Sequence, residues 1–250
     1  MLADPQRFAP EAADLIVRAR RARSPEALVI ALRAYAWTQR WRLAEAEAKQ
    51  LLDEACRIAR HNGLHEALAD VLMLRAAVNQ ELGRLAAAGR DLDAAADFAA
   101  ADRRTELAFQ RAVLAQNIGR LGDAAAIYHA LLASPDSSLR TQVRAGNNLG
   151  LIEAQHGRYA EAGRRLEWAA RQAGAEGPAM VAQVVQSLAW VTVQSGRLAE
   201  GMRRFTEAAQ AYESAQLPLG EYYVEYADAL IDLRLIPEAT DAARAAEEEF

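Results

Sequence analysis

Apolar and small residues recur along this chain at steps of three and four, the period of a helix with one buried face. Between Arg140 and Ala173 the pattern reads Val143, Leu149 and Ile152, breaks at His156-Gly157, and resumes at Tyr159, Ala162, Leu166, Ala169 and Ala170. This predicts two antiparallel helices joined by a tight turn. The same design returns along the chain. Gly-Arg turns followed by an apolar or aromatic residue stand at Gly83-Arg84-Leu85, Gly119-Arg120-Leu121, Gly157-Arg158-Tyr159 and Gly196-Arg197-Leu198. Their glycines are spaced by 36, 38 and 39 residues, long enough for a helix pair and its connections. A fixed period of this size marks a repeat array.

Each turn is straddled by two small residues twelve positions apart: Ala36/Ala48, Ala76/Ala88, Ala112/Ala124, Gly150/Ala162, Ala189/Gly201 and Ala227/Ala239. Where two helices cross closely, only Gly or Ala leaves room for the backbones, and a larger side chain would overpack the contact. Four residues after the second small site comes a larger side chain in five units: Leu52, Leu92, Tyr128, Leu166 and Phe205. Three further on stand Ala55, Ala95, Leu131, Ala169 and Ala208. The turn glycine supplies the left-handed conformation that ends the first helix. The first and last units have Leu43 and Arg234 in its place.

These features resemble the tetratricopeptide repeat, a helix-turn-helix unit of about 34 residues. The resemblance spans roughly residues 29 to 250, with its best copy in Asn148-Leu149-Gly150 and Gly157-Arg158-Tyr159-Ala160-Glu161-Ala162. The units run longer than the family norm, with the extra length expected at Ala133–Ser138, Gly174–Pro178 and Leu217–Gly220. The expected fold is all-α, an α-solenoid of about six tetratricopeptide-like units behind an N-terminal helix. Residues 1–24 form the N-terminal cap and 25–250 the array, with turns near 43, 83, 119, 157, 196 and 234. Residues 11–23 carry the lone helix, Ser24-Pro25 starts the next, and Pro237 opens the second helix of the last unit. The chain stops at Glu247-Glu248-Glu249-Phe250 without a separate polar capping helix, so the expectation is one segment of a longer protein.

Composition agrees with this reading. Of 250 residues 52% are hydrophobic but only 6% aromatic, and much of the apolar content is alanine, a strong helix former. A net charge of −5 argues against nucleic acid as the ligand. No stretch approaches the ~20 apolar residues of a membrane span and no signal peptide opens the chain. Cys56 is the only cysteine, which excludes an internal disulfide. The expectation is a cytoplasmic protein with no cofactor.

What the resemblance implies about binding is a concave surface lined by the first helix of every unit. Carried onto this sequence, that surface takes Arg33, Trp37 and Arg40, then Asp70, Met73 and Gln80, then Glu106, Phe109 and Gln116. It continues with Arg144, Asn147, Asn148 and Leu151, with Gln183, Gln186 and Trp190, and with Val224 and Asp228. Side-chain amides there would pair with a peptide backbone while Trp or Phe supply anchors. Asn148 occupies the place where family members often carry an asparagine that contacts bound peptide. The plainer alternative has Met73, Phe109 and Leu151 packing between neighbouring helices. A carboxylate clamp does not fit, since glutamine and aspartate stand where its cations would be.

Other constellations carry less. Cys56, His61 and His65 give three ligands at most, with Asn62-Gly63 breaking the helix between them, so no metal site is expected. His156 follows Glu153 by one helical turn, as a surface pair. No Ser-His-Asp or Cys-His arrangement and no phosphate loop is found, so no catalytic residue is assigned. Arg18, Arg20, Arg21 and Arg23 read as a solvated helix face.

The expected function is a non-enzymatic scaffold for protein–protein interaction, binding a peptide or partner helix in the groove, with no nucleic acid and no membrane partner. An uncapped end can also pair with a second copy, giving a homo-oligomer. The alternative comes from a second resemblance, to the N-terminal repeat arrays of bacterial CHAT-domain proteins. It lies in Gln110-Arg111-Ala112, Asn147-Asn148-Leu149-Gly150-Leu151 and Tyr226-Ala227-Asp228-Ala229-Leu230. It implies a regulatory or sensing arm of a larger caspase-like protease whose catalytic domain is not in this chain.

Overall fold

The structure, a computed structural model, describes residues 5–42 and 44–249. Among them it is all helical. Helix α1 spans Pro5–Arg21, and six helix pairs follow: α2 Pro25–Trp41 with α3 Glu45–His61, α4 His65–Glu81 with α5 Leu85–Ala96, and α6 Arg104–Asn117 with α7 Leu121–Ala133. The rest are α8 Leu139–Gln155 with α9 Tyr159–Ala173, α10 Pro178–Gln194 with α11 Leu198–Ser214, and α12 Gly220–Asp232 with α13 Ile236–Glu249. The expected all-α, α-solenoid organisation is what the chain adopts. None of the described helices is long and apolar enough to cross a membrane.

The turns form as the glycines require. Gly83, Gly119, Gly157 and Gly196 have φ of 68°, 80°, 74° and 85°. The amide after each closes on a carbonyl five residues back: Arg84 on Asn79 at 2.7 Å, Arg158 on Glu153 at 2.9 Å. In the last pair Arg234 itself takes the left-handed conformation, with φ 59°. Leu43, at the expected first turn, lies outside the described residues. Ser24 caps α2 by accepting from the Ala27 amide, with Pro25 opening the helix. The first helix starts at Pro5, earlier than expected, because its buried stripe of Ala9, Ala12, Ile16 and Ala19 begins before residue 11.

All twelve small residues are buried. Gly201 shows why: a Cβ there would stand 2.9 Å from the backbone nitrogen of Val193, so α11 rests directly on the main chain of α10. The larger residues that follow, Leu52, Leu92, Tyr128, Leu166 and Phe205, are buried throughout, each adding about 1.5–3 kcal/mol of apolar burial. Longer connections occur where expected, the one after α9 being a 3₁₀ turn, Gly174–Glu176; a further one, Ala101–Arg103, precedes α6.

The chain divides into two compact units, Leu2–Ile127 and Tyr128–Phe250. In the first, α1 packs on α2, α2 on α3 and α4 on α5, and the first helices also touch one another, α2 on α4 and α4 on α6. In the second, α8 packs on α10 and α10 on α12 in the same way. First helices therefore form a layer of their own in each unit, and it is this layer that carries the candidate binding residues.

Candidate functional site

In the unit Leu2–Ile127 the first-helix layer is stitched by polar pairs between successive repeats. Arg33 of α2 reaches Asp70 of α4, and Arg103, just before α6, approaches the other oxygen of Asp70 at 3.2 Å. Arg40 bonds Glu81 at 2.6 Å, and the Asn117 amide donates to Gln80 at 3.0 Å. A cleft of about 240 Å³ opens at the Arg33–Asp70 end, lined by Glu26, Val29, Ile30, Glu66 and Arg103. Arg33 and Gln80 thus lie on the expected surface but already hold neighbouring repeats together. Trp37 and Gln116 are half-buried. Met73 and Phe109, 5% and 3% exposed, sit beneath the surface, because α4 packs against both α2 and α6 and a large apolar side chain directed at that contact sinks into it.

In the unit Tyr128–Phe250, Asn147, Asn148 and Leu151 are half-buried on α8. The Asn148 amide donates to the Tyr128 hydroxyl at 2.9 Å; burial pushes that phenol up to about 12, against the opposing pull of the Asn148 bond. Leu151 and Trp190 both pack at the edge of the cluster formed by Ala154, Leu166 and Leu188. Gln186 is only 5% exposed, and its amide donates to Glu225 of α12. Glu225 keeps access to solvent at its edge. Partial desolvation against α10 raises its carboxyl above the ordinary carboxylate value; the Gln186 bond opposes this, and the Glu221 and Asp228 charges add to it.

The structure also corrects one expected pair and reveals others. Glu153 does not face solvent beside His156. It is buried and receives both ends of Arg165 from α9, while His156 Nδ1 lies 2.7 Å from the Ile152 carbonyl. In the second hairpin, Asp91 of α5 accepts from Arg75 at 2.5 and 3.0 Å and from Asn79 at 2.9 Å, and Arg75 also reaches Asp53 of α3 at 3.0 Å. These locks were missed by the pattern of apolar positions. Their signal was a polar pair at the same twelve-residue spacing as the small residues.

Cys56 is buried beside this network, and loss of hydration pushes its thiol up to about 11 in spite of the nearby Arg75 and Arg60 charges. The His65 ring stacks on Phe98 at 5.1 Å. No group of three or more His, Cys, Asp or Glu side chains able to hold a metal occurs among the described residues. In the basic cluster Arg20 pairs with Glu54 at 2.9 Å, while Arg18 lies 3.9 Å from Asp14 with both side chains exposed.

No protein-family model matches the chain, and no curated protein matches it. Solved structures do. The apo form of the quorum sensor NprR from B. thuringiensis superposes with a TM-score of 0.65 at 14% identity, covering 97% of this chain and 83% of that one. BtubC (BKLC) from P. vanneervenii gives 0.61 at 20% identity over 85% and 92% of the two chains. A tetratricopeptide repeat protein from Parabacteroides merdae gives 0.59 at 17% identity over 97% and 93%. At these identities the likeness is one of fold, and the fold is a tetratricopeptide-like α-solenoid.

Proposed function

We propose that the chain is a non-enzymatic protein-interaction module that holds a peptide or partner helix along its first-helix layer. The observation that carries this reading is a set of four unsatisfied acceptors on first helices, Gln39 and Asn79 in one unit and Asn147 and Gln186 in the other. Their side-chain carbonyls are buried and have no hydrogen-bond donor among the described residues. An orphaned buried acceptor costs about 1–3 kcal/mol, and a partner bringing N–H groups would recover it. Half-buried Trp190 on α10 offers an aromatic face of the kind that anchors interfaces. The likeness to a quorum sensor and to a tetratricopeptide repeat protein is in keeping with a binding role.

The test is quantitative affinity capture with wild type, Asn148→Ala and Trp190→Ala, each first shown to melt within a few degrees of wild type. A partner held through this layer is recovered by wild type and depleted with either variant. Equal recovery by all three would remove these residues from the site. The reading as a regulatory arm of a CHAT protease rests on sequence resemblance alone, and the open reading frame beyond Phe250 decides it.

A further inference from the structure

Helix α12 carries Glu221, Glu225, Asp228 and Asp232 and no basic residue. Steps of four, three and four place the carboxylates on one side of the helix. All four are exposed, and so is the apolar side chain among them, Val224, at 46%. The neighbouring α10 has no charged residue of either sign. Among the described residues, none of these carboxylates is paired with an arginine, lysine or histidine. Two acids on first helices of the other unit differ: Asp70 is held by Arg33 and Arg103, and Glu81 by Arg40.

What α10 offers instead is amides. The Gln194 amide donates to Asp232 at 2.7 Å and the Gln186 amide to Glu225. The carbonyl oxygen of that same Gln186 amide is buried and has no donor among the described residues. Unbalanced carboxylates and an orphaned carbonyl are all acceptors. They call for a group that brings positive charge and several N–H donors at once. A guanidinium is that group: it is planar, permanently charged and carries five donors, where an ammonium offers three from one point. Trp190, one helical turn beyond Gln186, stands where a stacked cation could use an aromatic face.

We infer that the α10–α12 face is a docking site for an arginine-bearing segment of a partner polypeptide, with Glu225 and Gln186 receiving one guanidinium and the remaining carboxylates steering the segment. This rests on the interaction-module reading and specifies the partner's chemistry. Steering by exposed carboxylates makes binding weaken as salt rises.

The experiment is fluorescence anisotropy with the full chain and three labelled helical alanine-based peptides, bearing Arg, Gln or Glu at matched steps of four, three and four. The Arg peptide is expected to bind roughly tenfold or more tightly than the Gln peptide at low salt, about what three modest exposed ion pairs supply. The triple variant Glu221→Gln/Glu225→Gln/Asp228→Asn, shown to melt no lower than wild type, removes that advantage. Equal affinity for the Arg and Gln peptides, or an Arg advantage that survives the triple variant, overturns the inference. If the Gln peptide binds and Trp190→Ala abolishes this, the groove stands and only the arginine assignment falls; if none of the three peptides binds, the arginine site is overturned, while the groove is judged separately by the capture experiment. Self-association in sedimentation that disappears in Arg18→Gln/Arg20→Gln/Arg21→Gln/Arg23→Gln would make the occupant a second copy and overturn a separate partner.

Discussion

Arg165 closes on both carboxylate oxygens of Glu153, at 2.8 and 3.0 Å, across the two helices of one hairpin. Glu153 stands four residues before the turn glycine and Arg165 eight after it, the positions that Asn79 and Asp91 fill in the second hairpin. The hairpin therefore offers one register place where a polar pair can cross its seam, three residues beyond the small pair. Either helix can supply the acid.

Removing one member of such a pair leaves the other buried without its counter-charge. Glu153 is 5% exposed, so Arg165→Met is expected to cost about 2–4 kcal/mol. The double variant Glu153→Gln/Arg165→Met takes the stranded charge away and should recover most of that loss. Urea melts of the two single variants and the double complete the cycle. If Arg165→Met is neutral, the pair is not what closes this seam.

Two glycines in second helices separate packing from propensity. At Gly201 an added methyl would lie 2.5 Å from Val193 Cγ2 and 2.9 Å from the Val193 nitrogen, and the backbone cannot move aside cheaply. Gly201→Ala should cost about 1–3 kcal/mol. At Gly163 the same methyl meets only the flexible end of Arg197, at 3.8 Å. Gly163→Ala should instead stabilise by roughly 0.5–1 kcal/mol, the ordinary gain of alanine within a helix. Opposite shifts in denaturant midpoint are expected; shifts of the same sign would refute the crossing role given to Gly201.

This contrast marks what the sequence could disclose. The spacing of Ala189 and Gly201 is a local demand of two backbones that must touch, and the positive φ of Gly157 is a demand of one turn, so both could be read from residue type and interval. The partner of Glu153 could not be read by looking along its own helix, where His156 is the obvious neighbour. The true partner comes from the next helix. The candidate surface divides for a similar reason. Helical spacing gives the side of α4 that faces away from α5, but first helices also pack on one another, so Met73 is buried on that side while Gln80 is half-exposed. Which residues of a first helix reach solvent depends on the neighbouring repeat, and the interval pattern within one repeat does not encode it.

The last hairpin carries a correctable strain. Arg234 occupies the turn position with φ 59°, where glycine stands in four earlier hairpins. A side chain in the left-handed region costs roughly 1–2 kcal/mol, part of which glycine gives back through its freer unfolded chain. Arg234→Gly is expected to stabilise α12 and α13 by about 0.5–1 kcal/mol, read as slower native-state amide exchange in those helices. Unchanged exchange would show that the turn carries no such cost.

Glu225 links the proposed docking face to pH. Desolvation against α10 is the first cause of its raised carboxyl, ahead of the opposing Gln186 bond and the Glu221 and Asp228 charges. An acid whose folded pKa lies above its unfolded value binds more protons when folded. Its contribution to stability therefore falls as pH rises from the ordinary value of 4.5 through the folded value, and the cost is complete above that window. Glu225→Gln keeps an oxygen that can accept from Gln186 and removes the charge. The variant should melt above wild type at pH 7.5, with the gap narrowing as pH is lowered towards 4.5. Because both proteins share every other titrating group, the difference between their melting curves isolates this one. A gap that stays constant across the range, or a variant that melts below wild type at pH 7.5, would mean that the Glu225 charge is not held at a cost on this face.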